Sequence, residues 1–275
     1  MAAPVGLTAM ARVVLIGWRR KRYKVRMSPT ILVFAAFVVL IAAVVRGFSG
    51  FGFSLLTIIA LSLVLPPATI VPAMFMLEIA AGIHLLPGIW RDVQWRAIGV
   101  LFIAITLASP IGVYALATLP PENMKIALSI IVMVAAGFLL AGYRLTRMPT
   151  TAETAATGAA AGLLNGAFGI GGPPIIIFFL GSPLAMAAGR ASMIATFLGM
   201  DLVGLPLLWA FGLLGWDSLI LFAVMLPVLL VGIIIGNRLV GRLSEAMVRR
   251  AVLMLLMGMA LLILAQGLGL LPKAG

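Results

Sequence analysis

Val45-Arg46-Gly47-Phe48-Ser49-Gly50-Phe51-Gly52-Phe53-Ser54 and Leu164-Asn165-Gly166-Ala167-Phe168-Gly169-Ile170-Gly171-Gly172-Pro173-Pro174 are two glycine-dense interruptions in an otherwise apolar chain. Glycine at this density makes an α-helix hard to maintain, and paired prolines remove backbone donors. What surrounds the two stretches decides what they interrupt. The 275 residues are 64% hydrophobic and only 9% charged, with a mean hydropathy of +1.25. Soluble domains run roughly half apolar and a quarter charged. So few charges cannot cover a water-facing surface, so most of the exterior must face lipid. A spanning helix takes ~20 residues.

Working outward, apolar blocks fall at about 30–48, 50–66, 69–90, 97–118, 123–143, 154–168, 173–182, 187–211, 217–238 and 248–270. Their breaks carry turn chemistry: Pro66-Pro67, Arg91-Asp92, Pro120-Pro121, Met148-Pro149-Thr150, Ser182-Pro183 and Gly215-Trp216-Asp217. No block alternates polar and apolar residues as barrel strands do. The expectation is an all-α polytopic membrane protein with roughly eight to ten transmembrane segments, broken or re-entrant at the Gly-rich motifs. Block 173–182 is too short to cross alone and follows a glycine cluster, which predicts a re-entrant half-helix.

Charge sets the orientation. Of the 19 basic residues, seven (Arg12, Arg19, Arg20, Lys21, Arg22, Lys24 and Arg26) lie within residues 1–29, with no acid among them. Beside a membrane span this reads as a basic cytoplasmic segment under the positive-inside rule, and not as a nucleic-acid site. The expected place is the bacterial inner membrane, multi-pass, with the N-terminus cytoplasmic and lipid as surroundings. The basic run follows the short apolar stretch Val13–Gly17, the reverse of a secretory signal. The loop around Arg238, Arg242, Arg249 and Arg250 should also be cytoplasmic, yet ten full crossings would place it outside. One re-entrant block in the second half would remove that conflict.

The chain also repeats itself. At one offset of 119 residues Gly47 meets Gly166, Gly50 meets Gly169, Gly52 meets Gly171, Met74 meets Met193, Pro87 meets Pro206 and Trp90 meets Trp209. With the offset drifting to 123–124, Gly112 meets Gly236, Leu119 meets Leu243, Glu122 meets Glu245 and Met124 meets Met247. The expected organisation is two homologous membrane halves, 30–145 and 151–271, inverted or parallel. Internal duplication is typical of secondary transporters, whose sites lie near the midplane where the halves meet.

Broken backbone at membrane depth is tolerated only where it is buried in protein or lines a watery cavity. A break frees N–H groups, and the helix that follows points its positive end at the gap, which suits an anion. Arg46 adds a full charge, and Asn165 is its counterpart in the second half. The substrate-contact candidates are therefore Arg46, Gly47, Ser49, Gly50, Gly52, Asn165, Gly166, Gly169, Gly171, Gly172 and Pro173. The competing reading is that the glycines only let helices pack closely.

These motifs resemble the sulfite exporter TauE/SafE family of bacterial membrane transporters. The likeness rests on Gly47-Phe48-Ser49-Gly50-Phe51-Gly52, on Asn165-Gly166 through Gly169-Ile170-Gly171-Gly172-Pro173-Pro174, and on the two-half layout over about 30–271. The second motif is the more specific. The phenylalanines and Arg46 depart from the family's usual first motif. The resemblance implies transport of small anions, typically sulfite, sulfoacetate or other organosulfur compounds. It places the family's Gly/Pro motif on Gly166, Gly169, Gly171, Gly172, Pro173 and Pro174.

Glu78, His84, Arg190 and Asp201 fall inside spans. A mid-bilayer carboxylate costs ~2.5–3.5 kcal/mol on insertion scales, so it faces a cavity or a partner. Two readings stand for Glu78 and Asp201: proton coupling, or interhelical locks pairing Asp201 with Arg190 or Glu78 with Arg46. His84 is a third proton-coupling candidate because it titrates near neutral pH. It sits near a span end and off the Glu78 face, where a packing role also fits. Arg190 is either a second anion contact or a membrane-edge arginine, and Trp90, Trp95, Trp209 and Trp216 read as interface anchors.

The absence of cysteine excludes thiolate metal sites, one histidine falls short of the two or three a His-based zinc site usually needs, and no cofactor or metal is expected. Phosphate-loop, H-E-x-x-H and G-x-S-x-G motifs are absent, so no enzyme chemistry is expected. The reading is a secondary transporter, an exporter of a small anion such as sulfite or an organosulfonate, coupled to protons or the membrane potential. Its rivals are a passive anion channel and a non-transporting subunit that docks a soluble partner through the basic tail. The sequence leaves room for a homo-oligomer.

Overall fold

The computed structural model describes residues 28–141, 147, 149–181, 186–240 and 244–270. The basic segment 1–29 lies outside the described residues except for Ser28 and Pro29, as does Arg242. Among the described residues ten α-helices follow one another: α1 (Pro29–Ser49), α2 (Phe53–Leu61), α3 (Pro67–Leu85), α4 (Trp95–Thr118), α5 (Pro121–Leu140), α6 (Thr151–Phe168), α7 (Gly172–Gly181), α8 (Met186–Ala210), α9 (Trp216–Leu239) and α10 (Glu245–Gly267). Two 3-10 turns, Leu86–Gly88 and Trp90–Asp92, lie between α3 and α4. No strand occurs among the described residues. Seven of these helices are long and apolar enough to cross a membrane: α1, α3, α4, α5, α8, α9 and α10. The chain is an all-α, multi-pass membrane protein.

Local chemistry sets the helix ends. Ser28 caps α1 by accepting from the Ile31 N–H at 3.3 Å, and Pro29 fills the first helical position. The first break ends α1 at Gly50 in the left-handed region (φ 82°) and enters α2 through Gly52 (φ 92°). The second ends α6 at Gly169 (φ 69°), and Gly172-Pro173-Pro174 starts α7. Only glycine reaches these angles without strain.

The order long, short, long, long, long runs twice, from α1 to α5 and from α6 to α10. Both short helices directly follow a break. At 9 and 10 residues, they cover about half of the ~30 Å hydrocarbon layer. Block 50–66, expected as a full span, is thus only Phe53–Leu61. The apolar run continues past Leu61, but the chain turns there and re-enters a helix at Pro67. Every residue of α2 except Ser54 is buried, so its helix ends are sheltered by protein, as a non-spanning helix requires.

Packing is reciprocal. α1 lies along α9 and α6 along α4, while α3 meets α8 and α5 meets α10. The two long crossings pass through glycine pairs. A Cβ on Gly47 would strike the carbonyl of Ile233, and one on Gly236 would strike that of Val44 and crowd the Gly47 Cα. A Cβ on Gly166 would strike the carbonyl of Ser109, and one on Gly112 would strike that of Leu163. Without side chains at these points the backbones approach closely enough for dispersion contacts to hold the helices together in lipid. α3 and α8 are central, 61% and 67% buried over their most apolar stretches, against 22% to 33% for α4, α5, α9 and α10.

Candidate functional site

Charge is gathered at the centre, beside the first break. Arg46 lies in the last turn of α1 and is only 1% exposed. Its Nη1 is 2.7 Å from Oε2 of Glu78 on α3, a buried ion pair. The other oxygen of Glu78, Oε1, accepts from the Ser54 hydroxyl in the first turn of α2. The Arg46 Cζ lies over the Phe197 ring of α8, 5.6 Å from its centroid. Arg46 Nε and Nη2 are buried with no hydrogen-bond partner among the described residues. These two atoms share one edge of the guanidinium plane, the edge that suits two oxygens of a single oxyanion. Leaving buried charged donors unmatched is costly, which makes this edge a candidate anion contact.

A second buried pair completes the cluster. Asn165, in the last turn of α6, donates from Nδ2 to Asp201 Oδ1 on α8 at 3.0 Å. Its Oδ1 accepts from the Gly171 N–H at 3.4 Å, tying the second break to the same helix. Asp201 is 4% exposed. One cation and two carboxylates from α1, α3 and α8 therefore share one buried region where both breaks converge.

The sequence candidates divide into groups. Of the expected locks, Glu78 with Arg46 is present. Asp201 is held by Asn165, and Arg190 instead donates from Nη2 to the Gly47 carbonyl at 3.1 Å. Half-buried Arg190 thus brings a second guanidinium from α8 to the carboxyl end of α1, where the helix dipole favours a cation. Gly47 and Gly166 sit at the helix crossings. Gly50 and Gly169 give their N–H groups to the carbonyls of Arg46 and Asn165, both at 2.7 Å, and Gly171 gives its own to the Asn165 side chain. Helix capping thus uses three of the donors expected to cradle an anion. Pro173 and Pro174 lack an N–H, so the start of α7 adds little. Ser49 Oγ bridges the break locally, 2.8 Å from the Val45 carbonyl and 2.9 Å from that of Phe51. His84 is exposed near the end of α3, apart from the buried cluster. Trp90, Trp95, Trp209 and Trp216 are exposed.

Sequence reasoning missed Ser54 and Phe197. Phe197 stands 119 positions after Glu78, the same spacing that relates Arg46 to Asn165. That register was the available signal, but it compares an acid with an aromatic ring and shows no likeness.

The family model described as sulfite exporter TauE/SafE matches residues 35–263, a range that holds both breaks and the whole buried cluster. The chain belongs to the sulfite exporter TauE/SafE family. Among TauE/SafE relatives it is 26% identical over 200 residues to the "Probable sulfite/organosulfonate exporter TauE" of Cupriavidus necator, covering 70% of this chain and 77% of that one. No solved structure matches the chain. The TauE/SafE family is one of transporters.

Proposed function

We propose that this protein exports sulfite or a small organosulfonate across the bacterial inner membrane, with its N-terminus in the cytoplasm. The buried Arg46 edge without a hydrogen bond carries this reading, because its Nε and Nη2 are two parallel donors suited to a two-oxygen anionic head. Family membership and the name of the Cupriavidus relative support the sulfur chemistry. Arg190, reaching the same break from α8, adds positive potential.

Energetics motivate the coupling. The region holds Arg46 with two acidic side chains, Glu78 and Asp201, so an arriving anion adds negative charge beside groups that can bind a proton. A proton on either carboxylate offsets that charge, which links anion movement to the proton gradient. Two homologous halves, 30–145 and 151–271, rocking about the α3–α8 contact would expose the site to each side in turn.

The test is anion flux in liposomes containing the purified chain, with an imposed pH gradient or potential. Expected are sulfite accumulation against its gradient and loss of flux in Arg46→Gln. Flux that only dissipates a gradient would identify a passive channel, and full flux in Arg46→Gln would remove the site assignment.

A further inference from the structure

The spacing that makes Asn165 the counterpart of Arg46 also makes Phe197 the counterpart of Glu78. Both members of this second pair reach one guanidinium. Glu78 meets Arg46 at Nη1 from α3, and the Phe197 ring from α8 lies against its Cζ, 5.6 Å from the centroid. A position and its counterpart converging on one group is what an approximate two-fold relation between α3 and α8 produces. Only one side keeps the carboxylate, and a ring fills the other.

That ring also reaches the second break. A Cβ placed on Gly172 would lie 3.9 Å from Phe197 Cζ and 4.0 Å from Cε1, ordinary contact distance. Phe197 is 6% exposed, and Asp201 follows it by one turn on the same helix. The side chain therefore occupies the space between Arg46 at the end of α1 and the beginning of α7. The Nε–Nη2 edge of that guanidinium is buried and makes no hydrogen bond among the described residues.

We propose that Phe197 sets which anions the site admits. The ring holds the guanidinium plane, so that Nε and Nη2 present a fixed fork to two oxygens of one head group. Its bulk limits what that head can carry behind it. The site then takes sulfite and short sulfonates and turns away sulfonates with longer alkyl tails. This inference rests on the reading of Arg46 as the anion contact.

Liposomes containing the full chain test it through initial rates for sulfite and for butane-1-sulfonate, in the wild type, Phe197→Ala and Phe197→Leu. Apolar pockets discriminate by about 10-fold or more per methylene. Phe197→Ala should therefore raise the butanesulfonate-to-sulfite ratio about tenfold or more. Phe197→Leu keeps much of the volume but loses the π face, so it should raise the KM for sulfite more than it lowers kcat. An unchanged ratio in folded Phe197→Ala overturns the assignment. Should that variant fail to fold, an unchanged sulfite KM in Phe197→Leu overturns it instead. Wild-type protein that moves neither anion overturns the transport reading and this assignment with it, whereas wild-type flux with unchanged selectivity overturns this assignment alone.

Discussion

The guanidinium of Arg46 on α1 and the carboxylate of Glu78 on α3 are paired at 2.7 Å, both side chains almost wholly withdrawn from solvent. Such a pair holds two helices in register while leaving one edge of the cation free. Removing one partner strands a buried charge, at a cost of about 3–5 kcal/mol, whereas removing both spares that penalty. Arg46→Ala and Glu78→Ala should each lower stability by that order, and the double variant should lose well under the sum. Unfolding by denaturant in detergent micelles measures the cycle. Additive losses would mean that the pair is not coupled.

The glycine crossings make a separate prediction about stability. Gly47→Ala, Gly236→Ala, Gly112→Ala and Gly166→Ala each force a methyl group onto a neighbouring backbone, and overpacking of this kind costs about 1–3 kcal/mol. Gly99→Ala, where nothing lies within 4 Å, serves as the control and should be tolerated. Thermal unfolding of the five variants separates the two classes. Equal stability of Gly47→Ala and Gly99→Ala would contradict the close approach of α1 and α9.

Much of this arrangement could be read in the chain before any coordinates. Lipid-facing helices follow from composition, and the two breaks from glycine density at Gly50, Gly52 and Gly169. Contacts between elements were out of reach for a definite reason. An internal offset relates equivalent residues, Gly47 to Gly166 and Gly112 to Gly236, but the touching pairs are Gly47 with Gly236 and Gly112 with Gly166. The length of α2 was hidden because a helix buried in protein needs no match to membrane thickness, so apolar character runs on past its end. Asn165 is an anion-contact candidate in the sequence because its neighbourhood is broken backbone. Its partner Asp201 is brought to it only by the packing of α6 and α8.

At the exposed start of α6, outside the seven candidate spans, Arg147, Thr150 and Glu153 form a closed set. Arg147 donates to both carboxylate oxygens of Glu153 at 2.7 and 2.8 Å, and the Thr150 N–H donates to Oε2 at 2.7 Å. Thr150 returns the bond by accepting from the Glu153 N–H, which completes a capping box. The Arg147 hydrogen bonds, followed by those from Thr150, pull the carboxyl from its ordinary 4.5 to about 2. A group lowered on folding stabilises the fold above its unfolded value and loses that contribution as pH falls through the folded one. Wild-type protein should therefore lose thermal stability between about pH 4.5 and pH 2 more steeply than Glu153→Gln. Parallel curves for the two would show that the set contributes nothing.

Asn165 joins Asp201 to the N–H of Gly171, and each half of that bridge is buried. Asn165→Leu keeps the volume and removes both bonds, stranding a carboxylate and a backbone donor at a cost of about 1–3 kcal/mol. Replacing Asp201 as well takes away the stranded acid, so the double variant Asn165→Leu with Asp201→Leu should regain part of the loss. Transport separates the two readings of Asp201. A carboxylate that serves only as a lock allows flux to return with stability in the double variant. If Asp201 carries the coupled proton, the double variant folds but loses accumulation against a gradient, because an aliphatic side chain cannot bind a proton. Unfolding and flux measured on one preparation decide between them, and the coupling role expects stability to recover without transport.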